Sequence, residues 1–323
     1  MTAVGSLAHP GRWSALVGGI VWCVLAAGSR IGWMNMGTVE LLFLLAALAI
    51  VPLGLDLSAQ LDGTAPPRLE HWAALAQPGA ALLVMASFFF PPGRVSVSCG
   101  SAWLLLCALL GWCGFLRLLR GAFAQLDSAC TVLALVYIAV GGAWFAASRA
   151  ALSPLDFEEP IVLLTAVHFH YAGFAAPLLA RATGRALRGL SSPARRAFQL
   201  LTVGVLAGPA LLAGAFVIGP RARLAAGLFL VASQFGLGAS IGLASYRVSS
   251  RLARMLLRLS SLSLAFGMCL AFLWAWGEYP GQPLLNLAQM ARWHGVPNAF
   301  GFTLSGLLGW SISGLPSHAR GRP

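Results

Sequence analysis

Charge is scarce in this sequence, and one basic residue is missing altogether. Only 9% of the 323 residues are charged, against about 25% in an average soluble domain. All 21 basic residues are arginine, because no lysine occurs. This shortage excludes an ordinary soluble globular domain. It is typical of a membrane protein, because each charge at bilayer depth is costly. The chain is instead 59% hydrophobic with a mean hydropathy of +0.81, which indicates a protein embedded in lipid.

Several motifs that identify soluble function classes are also missing. No two of the six cysteines have C-x-x-C spacing, and no H-E-x-x-H sequence occurs, so the common zinc and thioredoxin patterns are absent. The cysteines fall in or beside apolar runs, where this residue acts as a small hydrophobic side chain. The net charge of +12 comes from arginines in short loops rather than from a basic domain, so we expect no nucleic-acid partner.

Long apolar runs, by contrast, fill the chain. A membrane-spanning helix needs about 20 predominantly apolar residues. The candidate spans lie near 13–28, 38–55, 72–90, 98–116, 130–148, 160–180, 198–217, 223–246, 259–277 and 297–314. The first is the shortest and the last begins at a proline, so nine spans is an alternative to ten. The sequence predicts an all-α polytopic transmembrane bundle in which residues 1–323 form a single integral-membrane domain, because an open sheet cannot satisfy its backbone in lipid.

The distribution of arginine predicts the orientation of this bundle. The 181–197 and 247–258 loops carry nine arginines, and the positive-inside rule places such loops in the cytoplasm. With ten spans both termini are then cytoplasmic, and fifteen of the 21 arginines lie on that side. The 56–71 loop also falls on the cytoplasmic side although it is net acidic, which runs against the pattern.

Polar residues inside the sixth span mark a candidate site. His168 lies about 12 Å from the outer end of this span at 1.5 Å per residue, and Tyr171 follows three residues later on the same face. His170 lies about 200° around a regular helix from His168, so the two imidazoles cannot bind one metal ion unless the helix is distorted. Pro177 predicts a kink near Gly173, and broken helices form binding sites in transporters.

Two further spans carry polar residues at their predicted outer ends. His294 lies just before Pro297, where the tenth span is expected to start, and shares a stripe with Asn298 if the helix extends back that far. Glu40 lies near the outer end of the second span. Spans two, six and ten run in the same direction, so we expect these residues in the same half of the bilayer. The candidate substrate- or proton-binding residues are His168, His170, Tyr171, His294, Asn298 and Glu40, and we identify no catalytic residue.

Three stretches resemble the YndJ-like family of bacterial multi-pass membrane proteins. They are AVHFHYAGFAAPLLA at 166–180, HGVPNAFGF at 294–302 and VELLFLLAALAIVPLGL at 39–55. The resemblance covers most of the chain and implies a multi-pass protein of the bacterial cytoplasmic membrane, with the lipid bilayer as its surroundings. Members of the family are sometimes labelled transporters, which implies a class of function without a substrate.

The sequence leaves three hypotheses open for the function. The favoured one is a transporter of a small molecule or ion, in which histidines couple protons or bind substrate because they titrate near neutral pH. The second is a metal- or haem-dependent membrane enzyme, with His168, His170 and His294 as candidate metal ligands, since imidazole suits zinc, copper and iron. The third is a non-catalytic membrane partner or sensor. We favour a protein that is not an enzyme, and the sequence identifies no cofactor.

Overall fold

Helices account for nearly all of the residues that this computed structural model describes, which are 10–63, 66–282 and 284–314, and no strand occurs among them. The main helices are α1 (Pro10–Arg30), α2 (Thr38–Asp62), α3 (Arg68–Ser87), α4 (Arg94–Leu119), α5 (Leu126–Arg149), α6 (Ile161–Ala186), α7 (Ser192–Ile218), α8 (Pro220–Ser245), α9 (Arg251–Glu278) and α10 (287–312). The predicted all-α fold is confirmed. Eight of these helices, all except α3 and α10, are long and apolar enough to cross a membrane.

Helices α2 and α6 form the centre of the bundle. In each of them 72% of the most apolar stretch is buried, against 22% to 39% in α1, α4, α7, α8 and α9. The Tyr171 hydroxyl of α6 donates a hydrogen bond of 3.0 Å to the Leu42 carbonyl near the start of α2. Further along both helices, Gly54 of α2 packs against Leu178 of α6. The two helices therefore lie side by side and run in the same direction.

Helix α10 packs against this central pair in the same direction. Gly295, near its start, packs against Leu42, and Gly306, near its end, packs against Leu179 of α6. An added Cβ at Gly295 would lie 3.0 Å from the Leu42 side chain. Glycine therefore allows α10 to approach α2 closely, as small residues do between membrane helices.

The three central helices share a local distortion. Each contains a π-helical turn that ends just before a proline, and the pairs are Ala46–Ile50 with Pro52, Phe169–Ala175 with Pro177, and Ala291–Gly295 with Pro297. In α6 the N–H of Ala176 donates to the Tyr171 carbonyl, five residues back instead of four. Proline has no N–H and its ring clashes with the carbonyl four residues earlier. The wider π turn accommodates that loss and lets the helix continue, so the kink expected near Gly173 takes this form.

Helix α10 begins ten residues earlier than the sequence predicts. Asn286 caps its start, because the Asn286 side chain accepts a 2.8 Å hydrogen bond from the Gln289 N–H while the Gln289 side chain accepts one from the Asn286 N–H. Pro297, the expected first residue, lies inside the helix, where it begins a second π-helical segment, Pro297–Leu304. His294 is therefore a residue of the helix and does not precede it.

Acidic side chains at the end of α2 and the start of α3 pair with arginines from neighbouring helices. Arg117 of α4 pairs with Asp62 at 2.8 Å and with Glu70 at 2.7 Å. Arg181 of α6 pairs with Asp62 at 2.7 Å and with Asp127 of α5 at 3.1 Å. These ion pairs explain how a net acidic stretch can lie at the arginine-rich end of the bundle. We call the end of the bundle that contains them the arginine end.

Candidate functional site

A cavity of about 210 Å³ lies between α6, α7, α8, α9 and α10. Its lining begins at the ends of these helices, at Phe216, Pro220 and Glu278, and reaches inward to Gln234 and Thr303. Pro220 and Gln234 are fourteen residues apart on α8, so the cavity extends about 21 Å along the helix axis. Its inner end therefore lies near the middle of the bundle, away from the arginine end.

Most of the cavity wall is apolar, but its polar atoms are unusual. Among the described residues, seven buried side-chain nitrogen or oxygen atoms have no hydrogen-bond partner. Four of them belong to cavity-lining residues, namely His168 Nε2, Gln234 Oε1, Asn298 Oδ1 and Thr303 Oγ1. A buried polar atom left without a partner costs about 1–3 kcal/mol. Buried polar groups nearly always have a partner in native proteins, so this concentration of unsatisfied atoms marks the cavity as the candidate site.

The orientation of Asn298 follows from its neighbours on α9 and α10. The His294 Nδ1 atom lies 2.8 Å from the Gly267 carbonyl oxygen, which can only accept, so Nδ1 carries the hydrogen. His294 Nε2 is then an acceptor, and the Asn298 Nδ2 group lies 3.3 Å from it. The Asn298 amide nitrogen therefore faces His294, which leaves its carbonyl oxygen free toward the cavity.

On α6, His168, Tyr171 and the adjacent Ala172 line the cavity. The Tyr171 hydroxyl is already bonded to the Leu42 carbonyl, so this residue contributes its ring to the wall rather than a free polar atom. His168 is the residue of α6 that presents an unpartnered atom. The structure thus brings His168, Tyr171, His294 and Asn298 to one cavity.

His170 does not belong to this site. Its ring is fully buried against α2, α4 and α5, where Trp103 Nε1 donates a 3.1 Å hydrogen bond to its Nε2 and the Ala166 carbonyl accepts one of 2.8 Å from its Nδ1. Phe43 packs edge-on against the same ring. Both nitrogens are occupied, so the structure does not bring His170, one of the predicted site residues, to the cavity. The opposite placement of the two histidines on the helix separates them, as the helical period requires.

Glu40 is also absent from the cavity lining. It lies half-buried in the first turn of α2, and with Glu159 it acts electrostatically on the buried Arg149 at the end of α5. The Glu159 carboxylate also accepts a 3.2 Å hydrogen bond from the Leu163 N–H at the start of α6. The structure therefore does not bring Glu40 to the cavity with His168 and His294: α2 contacts α6 through its backbone at Leu42, and Glu40 lies in the first turn of α2.

The three histidines considered as metal ligands are not brought together. Only His168 and His294 line the cavity, and His294 Nδ1 is bonded to the Gly267 carbonyl. Within residues 10–63, 66–282 and 284–314, no group of three or more His, Cys, Asp or Glu side chains is arranged to hold a metal ion. The donor set of the cavity, which is mainly amide and hydroxyl oxygen with imidazole, suits hydrogen bonding better than metal binding.

Four polar residues of α8, α9 and α10 line the cavity but were not among the candidates predicted from the sequence. They are Gln234 and Arg223 of α8, Glu278 of α9 and Thr303 of α10. A glutamine fourteen residues inside an apolar helix is a signal that could have been used, because polar side chains at that depth need partners. Arg223 and Glu278 form an ion pair of 3.3 Å where the cavity meets the helix ends.

Comparison with known proteins assigns the chain to a family. The family model described as YndJ-like protein matches residues 41–302, which include α6, all of the cavity helices up to Phe302, and most of α2. The chain is 29% identical over 230 residues to the uncharacterized membrane protein YndJ of Bacillus subtilis (strain 168). This alignment covers 71% of the chain but only 41% of that relative. No solved structure matches. Because the family model matches most of its length, the chain belongs to the YndJ-like family of multi-pass membrane proteins.

Proposed function

We propose that this chain is a membrane transporter that binds a small solute in the cavity between α6 and α10. The observation that carries the proposal is the presence of four unpartnered buried polar atoms in one cavity near the middle of the bundle. Transporters of many folds bind their substrates near the bilayer midplane, at helices whose regular hydrogen bonding is interrupted. The residues that would bind the solute are His168, Gln234, Asn298 and Thr303.

The π turns of α6 and α10 support this proposal. His168 lies immediately before the π turn Phe169–Ala175, and His294 lies within the π turn Ala291–Gly295. Single π turns in α-helices are frequent at functional sites. Helices interrupted beside the binding residues can change their bend without breaking the bundle, and such changes would alternate access to the cavity.

We also propose that the cavity opens toward the outside of a bacterial cytoplasmic membrane. Helices α7 and α9 end on the same side of the bundle as the cavity mouth. The loops 187–191 and 246–250 lie at the opposite end, and most of the arginines there are in the flanking helix turns. The positive-inside rule assigns that opposite end to the cytoplasm.

Transport is tested with purified protein in liposomes loaded with a mixture of membrane-impermeant polyols, amides, amines and carboxylates. We expect wild-type protein to release at least one solute, as measured by mass spectrometry of the external medium. Ala271→Phe should abolish release, because Ala271 lines the cavity and a phenyl group would fill it. Thr165→Val, on α6 but outside the cavity, should release solute like the wild type.

Two outcomes would overturn the transporter role. Release that is the same for wild type, Ala271→Phe and protein-free liposomes would exclude transport of these solutes through the cavity. Binding of a solute to the wild type without release would instead identify a sensor, which is the role that a closed ligand-binding bundle would have.

A further inference from the structure

We propose that the cavity selects a neutral amphipathic molecule that has a hydrogen-bond-donating head, such as a hydroxyl or primary amide, and an apolar body slightly larger than benzene. This inference deepens the proposed binding role of the cavity and rests on it. Three independent features of the lining determine the class of ligand: the kind of polar atoms left free, the position of the charges, and the volume.

Two of the four free polar atoms in the cavity can only accept hydrogen bonds, whereas His168 Nε2 and Thr303 Oγ1 can do either. Gln234 Oε1 and Asn298 Oδ1 are amide oxygens, which accept hydrogen bonds and cannot donate them. The orientation of the Asn298 amide is fixed, because its nitrogen faces His294 Nε2 and the His294 Nδ1 hydrogen is directed at Gly267. Thr303 Oγ1 can either accept or donate. A ligand that satisfies either amide oxygen must therefore bring a donor of its own.

The inner end of the cavity carries no arginine or acidic side chain among the described residues. Among the described residues that line the cavity, Arg223 and Glu278 are the only arginine and acidic residue, and they form an ion pair of 3.3 Å near the helix ends. The inner end offers the neutral side chains of Gln234, Asn298 and Thr303, together with the imidazoles of His168 and His294. A buried charge without an opposite partner is strongly disfavoured, so a cationic or anionic head would be rejected there.

The apolar walls and the volume set the body of the ligand. Leu264, Met268, Trp274 and Phe302 contribute hydrophobic surface around the polar atoms. The cavity volume is about 210 Å³, and an engineered protein cavity of about 150 Å³ is known to hold benzene. A single ring or short chain with one polar substituent therefore fits the space.

A panel of four probes with the same phenyl body tests the inference. They are 2-phenylethanol, ethylbenzene, 2-phenylethylamine (a cation at neutral pH) and phenylacetate. Binding to the full chain in lipid nanodiscs is measured by isothermal titration calorimetry, with empty nanodiscs as the reference for partition into lipid. We expect 2-phenylethanol to bind about tenfold more tightly than ethylbenzene, as one or two hydrogen bonds predict, and both charged probes to bind more weakly.

Matched variants identify the polar atoms responsible. Thr303→Val removes the hydroxyl while keeping the side-chain shape, and Asn298→Leu removes the amide oxygen. Each should lower the affinity for 2-phenylethanol toward that for ethylbenzene while leaving ethylbenzene binding unchanged. Thr165→Val is the control, since the Thr165 hydroxyl donates to the Ile161 carbonyl of its own helix and lies outside the cavity.

The possible results separate this inference from the transporter proposal. Tighter binding of the amine or the carboxylate than of the alcohol would overturn the neutral ligand class and leave the cavity as a binding site. The same affinity for alcohol and ethylbenzene in wild type would overturn the role of the polar atoms. Solute release from liposomes that persists when no probe binds would overturn the ligand class and leave transport standing.

Discussion

Trp103 of α4 donates a hydrogen bond of 3.1 Å from its indole Nε1 to Nε2 of His170 on α6. The two residues are both fully buried, and their rings stack with centroids 5.8 Å apart. Because His170 Nδ1 is bonded to the Ala166 carbonyl, the imidazole is the neutral tautomer with its hydrogen on Nδ1. This histidine therefore joins two helices, whereas His168, two residues earlier, faces a cavity with a free nitrogen.

Replacement of His170 by leucine is expected to destabilise the fold without weakening ligand binding. The Trp103 N–H would lose its acceptor inside the bundle, at a cost of about 1–3 kcal/mol. Thermal unfolding in detergent measures the loss, and Trp103→Phe combined with His170→Leu should cost less than the sum of the two single changes. His168→Leu should show the reverse pattern, with weaker 2-phenylethanol binding and little loss of stability. Additive costs at Trp103 and His170 would contradict this assignment.

Removal of the Asp127 charge is expected to be among the most damaging changes at the arginine end. The Asp127 carboxylate pairs with Arg181 at 3.1 Å and with Arg185 at 2.8 Å, and both arginines are almost completely buried. Leaving a buried arginine partly uncompensated costs about 3–5 kcal/mol, so Asp127→Asn should sharply lower the melting temperature. Glu278→Gln is the control, because its pair with Arg223 is about one-third exposed and should contribute less than about 1 kcal/mol. Equal effects of the two changes would show that burial does not set the cost.

Substitution of Gly267 by alanine is expected to weaken ligand binding, because Gly267 of α9 packs against the His294–Asn298 pair. An added Cβ would lie 2.4 Å from Asn298 Nδ2, so Asn298 must move. We expect about a tenfold loss of 2-phenylethanol affinity, corresponding to one lost hydrogen bond. Gly214→Ala on α7 is the matched control, because nothing lies within 4 Å of its added Cβ. Unchanged affinity in Gly267→Ala would show that the position of Asn298 does not matter for binding.

Pro177→Ala is expected to change the geometry of α6 rather than its stability. Alanine restores an N–H that can bond to the Gly173 carbonyl, which favours conversion of the π turn Phe169–Ala175 into a regular helix. A π turn accommodates one more residue than a regular α-helical turn. Its conversion would therefore rotate the part of α6 before it by about 100° and move His168 away from the cavity. Calorimetry should show weaker 2-phenylethanol binding at an unchanged or higher melting temperature. Pro209→Ala, in the α-helical α7, should leave binding unaltered.

Reporter insertions test the proposed orientation. A phosphatase that is active only outside the cytoplasm should be inactive after Arg188, in the loop between α6 and α7, and active after Gly281, in the loop between α9 and α10. Fluorescent protein insertions at the same positions should give the opposite signals. Phosphatase activity at Arg188 would invert the bundle and place the cavity mouth in the cytoplasm.

The sequence alone determined the features that depend on local composition and period. Runs of apolar residues require helices in lipid, since no other open structure satisfies its backbone there. The spacing of His168 and His170 places them on opposite sides of α6, and Pro177 requires a distortion near Gly173. Even the order of the helices and the common direction of α2, α6 and α10 follow from counting the apolar runs.

The tertiary structure determined which faces of the helices contact one another. Helices that are apolar around most of their circumference carry little information about the neighbour that each face contacts. The Trp103 partner of His170 is 67 positions away, and Gln234 and Thr303 join His168 only because α8 and α10 pack beside α6. Glu40 stays outside the cavity for the same reason, since α2 packs beside α6 but none of its described residues lines the cavity. The site is therefore a product of helix rotation and packing, which the order of residues does not specify locally.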